Sequence, residues 1–105
     1  MKIMRTLCNH DNIIKLYETF EGENTYYFVM EILEGASLYD EIKRHANQPY
    51  SDTEVIDVMK MLIAAVSECA KKRIMHRDIK PENILFSQKN TISKLKIVDF
   101  GLATF

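Results

Sequence analysis

The stretch His76-Arg77-Asp78-Ile79-Lys80-Pro81-Glu82-Asn83, followed by Asp99-Phe100-Gly101, decides how the whole chain is read. The first segment puts an aspartate, a lysine and an asparagine on a loop in front of a short apolar run, Asn83 to Phe86. The second begins where another such run, Leu95 to Val98, ends. With a polar loop between them, the two runs suggest a small hairpin, and pairing would bring Asn83 and Asp99 to the same end of it. A carboxylate and an amide oxygen at one place make a hard oxygen site suited to Mg²⁺, which takes carboxylate and phosphate oxygens. Lys80 beside them can neutralise a transferring phosphoryl group, and Asp78 can orient a hydroxyl nucleophile.

Outward from this segment, Ser51-Asp52-Thr53-Glu54 has the form of a capping box opening the longest helix. Val55, Met59, Leu62, Ile63, Val66, Cys69 and Ala70 follow at helical spacing, so they are expected to form one packed apolar stripe. Lys71-Lys72-Arg73 places positive charge at the C-terminal end of the helix dipole and reads as a solvated helix end. Ser37-Leu38-Tyr39-Asp40 resembles a second capping box, opening a short helix to about Ala46. Ile13 to Phe20 and Thr25 to Ile32 are rich in β-branched and aromatic residues around the polar turn Glu21-Gly22-Glu23-Asn24, which predicts a hairpin. Ile3, Met4 and Leu7 recur at helical spacing with no cap before them, and Asn9-His10-Asp11-Asn12 is a polar break. The composition is α+β. Both ends are expected to be cut, since the first helix lacks a start signal and the chain stops at Phe105 without a closing element.

At 105 residues, the chain has room for one small domain. An apolar fraction of 47% and a charged fraction of 28% argue against disorder. A net charge of −1 gives no basic footprint for nucleic acid. No run without charge exceeds seven residues, and no apolar signal core follows Met1, so no membrane partner is expected. Two cysteines cannot build a disulfide scaffold or a zinc site, which fits a reducing, intracellular setting, cytoplasmic or nuclear. Cys69 on the helix stripe reads as an inert buried thiol, and the role of Cys8 is left open.

The pairing of H-R-D-x-x-x-x-N with D-F-G resembles the signatures of eukaryotic protein kinases. The seven specified residues of His76 to Asn83 would match by chance on the order of once in 10⁹ positions. The resemblance implies that Asp78 is the catalytic base and that Lys80 contacts the γ-phosphate. It implies that Asn83 and Asp99 hold Mg²⁺ and that Phe100 packs differently in active and inactive states. Arg77 matches an arginine that pairs with a phosphorylated activation loop. Lys80, two residues after Asp78, is similar to serine/threonine rather than tyrosine kinases. His76 is expected to be a packed structural residue. Glu82 is read equally as structural or as touching substrate.

The likeness runs through the whole chain. Asn9 to Ile14 resembles the H-P-N-I turn after helix C, with Asp11 in place of proline. Thr25 to Glu31 resembles the strand entering the hinge, which makes Met30 a gatekeeper as well as a core residue. Glu31 and Leu33 would offer backbone groups to adenine, and Leu85 would floor its pocket. Met4, Leu16, His76 and Phe100 match the hydrophobic spine. The fold implied is a partial kinase domain over 1–105: a remnant of the N-lobe over 1–32 and the start of the C-lobe over 33–105. ATP and Mg²⁺ would be the cofactors and a protein Ser/Thr hydroxyl the substrate. The general run of Ile14 to Phe20 and Met30 to Ile42 is most similar to calcium- and calmodulin-dependent kinases, which raises calcium/calmodulin regulation as an expectation.

The departures are equally specific. The chain has no G-x-G-x-x-G loop, no V-A-I-K lysine and no A-P-E segment. The isolated 105 residues are therefore expected to be inactive and loosely packed. The alternative is a non-catalytic kinase-like remnant or interaction module, which flanking coding sequence bearing those motifs would exclude. Ser37 stands where many relatives carry a glutamate, which puts a preference for basic substrates in doubt.

Overall fold

A computed structural model of the chain describes residues 2–7, 9–89 and 94–105. Cys8 lies outside them. In chain order the elements are α1 (Lys2–Leu7), β1 (Leu16–Glu21), β2 (Tyr26–Met30), α2 (Leu38–Arg44), α3 (Asp52–Lys71), a 3₁₀ turn (Pro81–Asn83), β3 (Ile84–Phe86) and β4 (Leu95–Ile97). The strands form two separate antiparallel pairs, β1 with β2 and β3 with β4.

The helix starts follow their local chemistry. Ser51 caps α3 in a complete capping box: its hydroxyl accepts from Glu54 N–H, and the Glu54 carboxylate accepts from Ser51 N–H at 3.0 Å. The Ser51 backbone N–H first, and then the Ser51 side chain beside the carboxylate, hold the Glu54 carboxyl below its ordinary value. Ser37 caps α2 by accepting from Asp40 N–H at 3.1 Å. The helix ends at Arg44, before the expected Ala46, and His45 turns its backbone N–H to Glu41. Beside that end, the Glu41 carboxylate is buried and accepts from Arg44 at 2.8 Å and from Tyr50 at 3.0 Å. Burial and this carboxylate push the Tyr50 hydroxyl up to about 12.

The end of α3 is a Schellman turn. Ile74 N–H donates to the Cys69 carbonyl at 2.8 Å and Arg73 N–H to the Ala70 carbonyl at 3.0 Å, with Arg73 at φ 57°. Ile74 and Cys69 then meet in one buried cluster, which closes the turn with an apolar contact. Burial pushes the Cys69 thiol up, as an inert core cysteine requires.

The expected stripe on α3 is only half right. Val58, Leu62, Ala65 and Cys69 face the core, while Val55, Met59, Ile63 and Val66 are 40–58% exposed. The helix is apolar along two adjacent stripes, and the elements packed on it cover one. Leu7 of α1, Ile13, Ile97 and Phe100 pack on its C-terminal half. Ile84, Phe86 and Leu95 pack on the half nearer its start.

The first hairpin is shorter than expected. Ile13 does not join it but bridges in parallel to Ile97, and Ile14 N–H donates to the Ile97 carbonyl at 3.2 Å. Asn12 draws this segment to β4: its side chain donates to the Leu95 carbonyl at 2.9 Å, and its own carbonyl accepts from Ile97 N–H. A bulge at Tyr17 between the Leu16–Met30 and Glu18–Val29 pairs then shifts the β1 register. Asn83 belongs to the 3₁₀ turn rather than to the strand that follows it. Gly35 packs flat on β3, where a Cβ would run into the Phe86 carbonyl oxygen, so only glycine fits.

Candidate active site

In the β3–β4 hairpin, Ile84 pairs with Ile97 and Phe86 with Leu95, and all four turn to the core. Alternation puts Leu85 and its partner Lys96 on the opposite face. The pairing continues one step past the strands, where Val98 N–H donates to the Asn83 carbonyl at 3.0 Å. Asn83 and Asp99 therefore do sit at the same end of the hairpin.

Asn83 is buried and its amide is oriented by its neighbours. Its nitrogen donates to the Asp78 carbonyl and to the Asp78 carboxylate, each at 3.0 Å. Both partners are acceptors, so only the NH₂ side can face them, and Oδ1 is turned elsewhere as a free oxygen donor. Asp78 is half-buried, and its other carboxylate oxygen lies 3.5 Å from the exposed Lys80 ammonium. The loop thus brings Asp78, Lys80 and Asn83 into direct contact. No group of three or more His, Cys, Asp or Glu able to hold a metal occurs among the described residues. The oxygens of Asn83 and Asp99 alone suit Mg²⁺, which usually takes one or two protein oxygens and completes its shell with phosphate and water.

Two residues of this loop region adopt left-handed backbone, Arg77 at φ 68° and Asp99 at φ 57°. Such a conformation costs about 1–3 kcal/mol and persists only where surroundings over-determine it. For Arg77 the guanidinium Nε donates to the Leu102 carbonyl at 2.7 Å. For Asp99 the carboxylate accepts from Gly101 N–H at 3.3 Å. Between them, buried His76 accepts from Asp78 N–H on Nδ1 at 3.1 Å, so its proton lies on Nε2, which donates to the Val98 carbonyl at 2.9 Å. Phe100 meets the ring edge-on, with centroids 4.6 Å apart. His76 is a fully bonded structural residue that ties the Asp78 loop to the Asp99 strand.

A cavity of about 470 Å³ opens beside Asp99, walled by Met4 of α1, Phe28 and Met30 of β2, and Val98 and Phe100. Leu16 pairs with Met30 across the first hairpin. Glu31 follows Met30 and is held tightly: its N–H donates to the Lys15 carbonyl at 3.0 Å, so of its backbone groups the carbonyl is left for a ligand. Leu33 and Leu85 are half-buried.

Sequence reasoning missed Lys96 and Asn12, both buried. The ammonium of Lys96 lies 2.6 Å from the Glu31 carboxylate. A signal was present: Lys96 is a lone charge between Leu95 and Ile97, and a charge there must find a partner on the other face of the strand.

The sequence model of the protein kinase domain matches residues 1–105. Calcium-dependent protein kinase 14 of Arabidopsis thaliana is 41% identical over 105 residues, covering all of this chain and 19% of that protein. CDPK-related kinase 1 of the same plant is 38% identical, with 18% of its length covered. Calcium/calmodulin-dependent serine/threonine-protein kinase 1 of Oryza sativa subsp. japonica is 37% identical, with 17% covered. The chain therefore spans less than a fifth of the length of these relatives. With its helices and two small antiparallel sheets, it belongs to the protein kinase domain family.

Proposed function

We propose that these residues are the catalytic-loop segment of an ATP-dependent serine/threonine protein kinase, with 1–32 from the N-lobe and 33–105 from the start of the C-lobe. The observation that carries this reading is the oriented amide of Asn83. Both acceptors of Asp78 hold its nitrogen, which frees its oxygen at the hairpin end that also carries Asp99. Asp78 would accept the substrate hydroxyl proton, and its half-buried carboxylate is already positioned by Asn83. Lys80 would stabilise charge on the phosphoryl group. Asn83 and Asp99 would hold Mg²⁺, while the Glu31 carbonyl, Leu33, Met30 and Leu85 would border the adenine. Mg²⁺-ATP supplies the transferable phosphoryl group and neutralises its developing charge. A protein hydroxyl is the substrate, a cytoplasmic setting suits the two thiols, and the names of the relatives favour calcium or calmodulin control.

In the intact protein, Asp78→Asn should lower phosphoryl transfer by about 10²–10⁴-fold with unchanged circular dichroism. Asp99→Asn should fail through Mg²⁺ binding and recover in part at high Mg²⁺. Equal transfer by wild type and Asp78→Asn would overturn the assignment. Residues 1–105 by themselves should be inactive, because they hold no glycine-rich loop and no strand lysine. A melting transition of that chain raised by millimolar Mg²⁺-ATP would refute this.

Ser37 bears on specificity. Its hydroxyl caps α2 and it has no carboxylate to meet an arginine on the substrate. A charge-assisted bond of that kind contributes about 1.5–3 kcal/mol, so selectivity for upstream arginine should fall by roughly ten- to a hundred-fold against relatives that have the glutamate. A peptide array showing a strict arginine requirement would contradict this.

A further inference from the structure

The ion pair of Lys96 and Glu31 joins residues 65 positions apart. Its side chains are only 5% and 15% exposed, which is an expensive place for charge unless the pair is held well. It is held well. The oxygen of Glu31 that meets the ammonium at 2.6 Å also accepts Lys15 N–H at 2.8 Å. Glu31 N–H returns to the Lys15 carbonyl, so Lys15 is gripped on both backbone groups. Ile14, next to Lys15, donates to the carbonyl of Ile97, next to Lys96. The bonds close a ring: Lys96, Ile97, Ile14, Lys15, Glu31 and back to Lys96.

The position of the ring gives it a role. Met30, one residue before Glu31, and Val98, two residues after Lys96, both line the cavity beside Asp99. Asp99 follows directly. The geometry points to Lys96 and Glu31 as a positioning brace, fixing the separation between the adenine-bordering backbone at 31–33 and the Mg²⁺-holding carboxylate of Asp99. Neither side chain touches substrate; the pair acts through the two backbone segments it ties. Asn12, two residues before Ile14 in the same segment, ties the strand a second time, through Leu95. This inference rests on the function proposed above for the two segments.

The test uses the intact protein with Lys96→Met, Glu31→Gln, Lys96→Arg and the double variant Lys96→Met/Glu31→Leu. The brace predicts that Lys96→Met speeds amide hydrogen exchange in both 28–33 and 98–101, and raises the KM for ATP about tenfold with a smaller change in kcat. Glu31→Gln, which keeps an acceptor, should do less. Lys96→Arg should stay near wild type, and the double variant, with no orphaned charge, should fold stably but keep the raised KM. The brace is overturned if Lys96→Met and the double variant lower the melting temperature alone, with KM and exchange at 98–101 unchanged. Asp78→Asn run alongside separates the two claims: if it leaves transfer intact, the kinase reading fails, and the exchange pattern alone decides whether the two segments are mechanically tied.

Discussion

The two hairpins have similar strand-forming sequences and opposite surroundings. In β3–β4, Ile84, Phe86, Leu95 and Ile97 are 0–2% exposed; in β2, every residue from Tyr26 to Met30 is 41–59% exposed. The first hairpin is not less apolar, since Tyr17, Phe20, Tyr26, Tyr27 and Phe28 lie on it. The difference is what each pair of strands meets. The short hairpin lies against Val58, Met61 and Leu62 of α3, whereas the long one is tied at its base by Glu31 and reached from α1 by an Arg5–Thr19 bond. Its projection shows in a radius of gyration of 14.7 Å, against about 13 Å for a compact domain of this length. Strand propensity and burial are thus separate properties, and the proposed catalytic groups flank the buried hairpin, where their backbone is held.

The contrast can be broken most directly by truncating both hairpins. Phe86→Ala should cost about 3–5 kcal/mol in denaturant unfolding of the intact protein, because its site is closed on all sides. Phe28→Lys in the 105-residue chain should leave helix content unchanged and increase the monomeric fraction in size-exclusion chromatography, since a charge on an exposed strand opposes edge pairing. Equal damage from the two would mean that the long hairpin is buried in solution.

The packing of the short hairpin depends in turn on α3 starting in register. Ser51→Ala should cost about 1 kcal/mol by removing the N-cap. The pH dependence has a fixed sign. Glu54 is held below its ordinary value of 4.5, so its contribution is complete above that value and is lost as pH falls through the lower folded one. Stability profiles of Glu54→Gln and wild type should converge at low pH, where the carboxyl is protonated, and parallel profiles would refute the coupling.

The smallest effect is expected at the other end of α3. Arg73→Gly removes a side chain from a left-handed position and should stabilise by about 0.5–1 kcal/mol, net of the greater freedom of glycine when unfolded. A loss of stability would show that the Arg73 side chain contributes more than its backbone strain costs.

Much of the molecule was legible because its signals are local. Both serine caps, the long helix, the turn at Gly22 and the loop from His76 to Asn83 depend on residues within a few positions of one another. Periodicity found the α3 helix but placed its packed face only in part, at Leu62 and Cys69, since two adjacent stripes are apolar and only the covering elements choose between them. Ile13 reads as a residue of the first hairpin, yet Asn12 draws it to β4, where it forms an isolated bridge to Ile97. Lys96 stands as a lone charge between Leu95 and Ile97, and nothing near it in sequence names Glu31 as its partner.

The sequence by itself determined the family and the caps and pointed to Asp78, Lys80, Asn83 and Asp99 as the proposed site, since each is carried by short spacings that one loop or one helical turn converts into geometry. Only the tertiary structure decided which hairpin is buried, which stripe of α3 packs and that Lys96 meets Glu31. Those outcomes depend on contacts between distant segments, 65 positions apart in the case of the ion pair and 83 in that of Asn12 and Leu95. The free energy of such a contact is set by what else is excluded from water at the same place, and no local pattern records that.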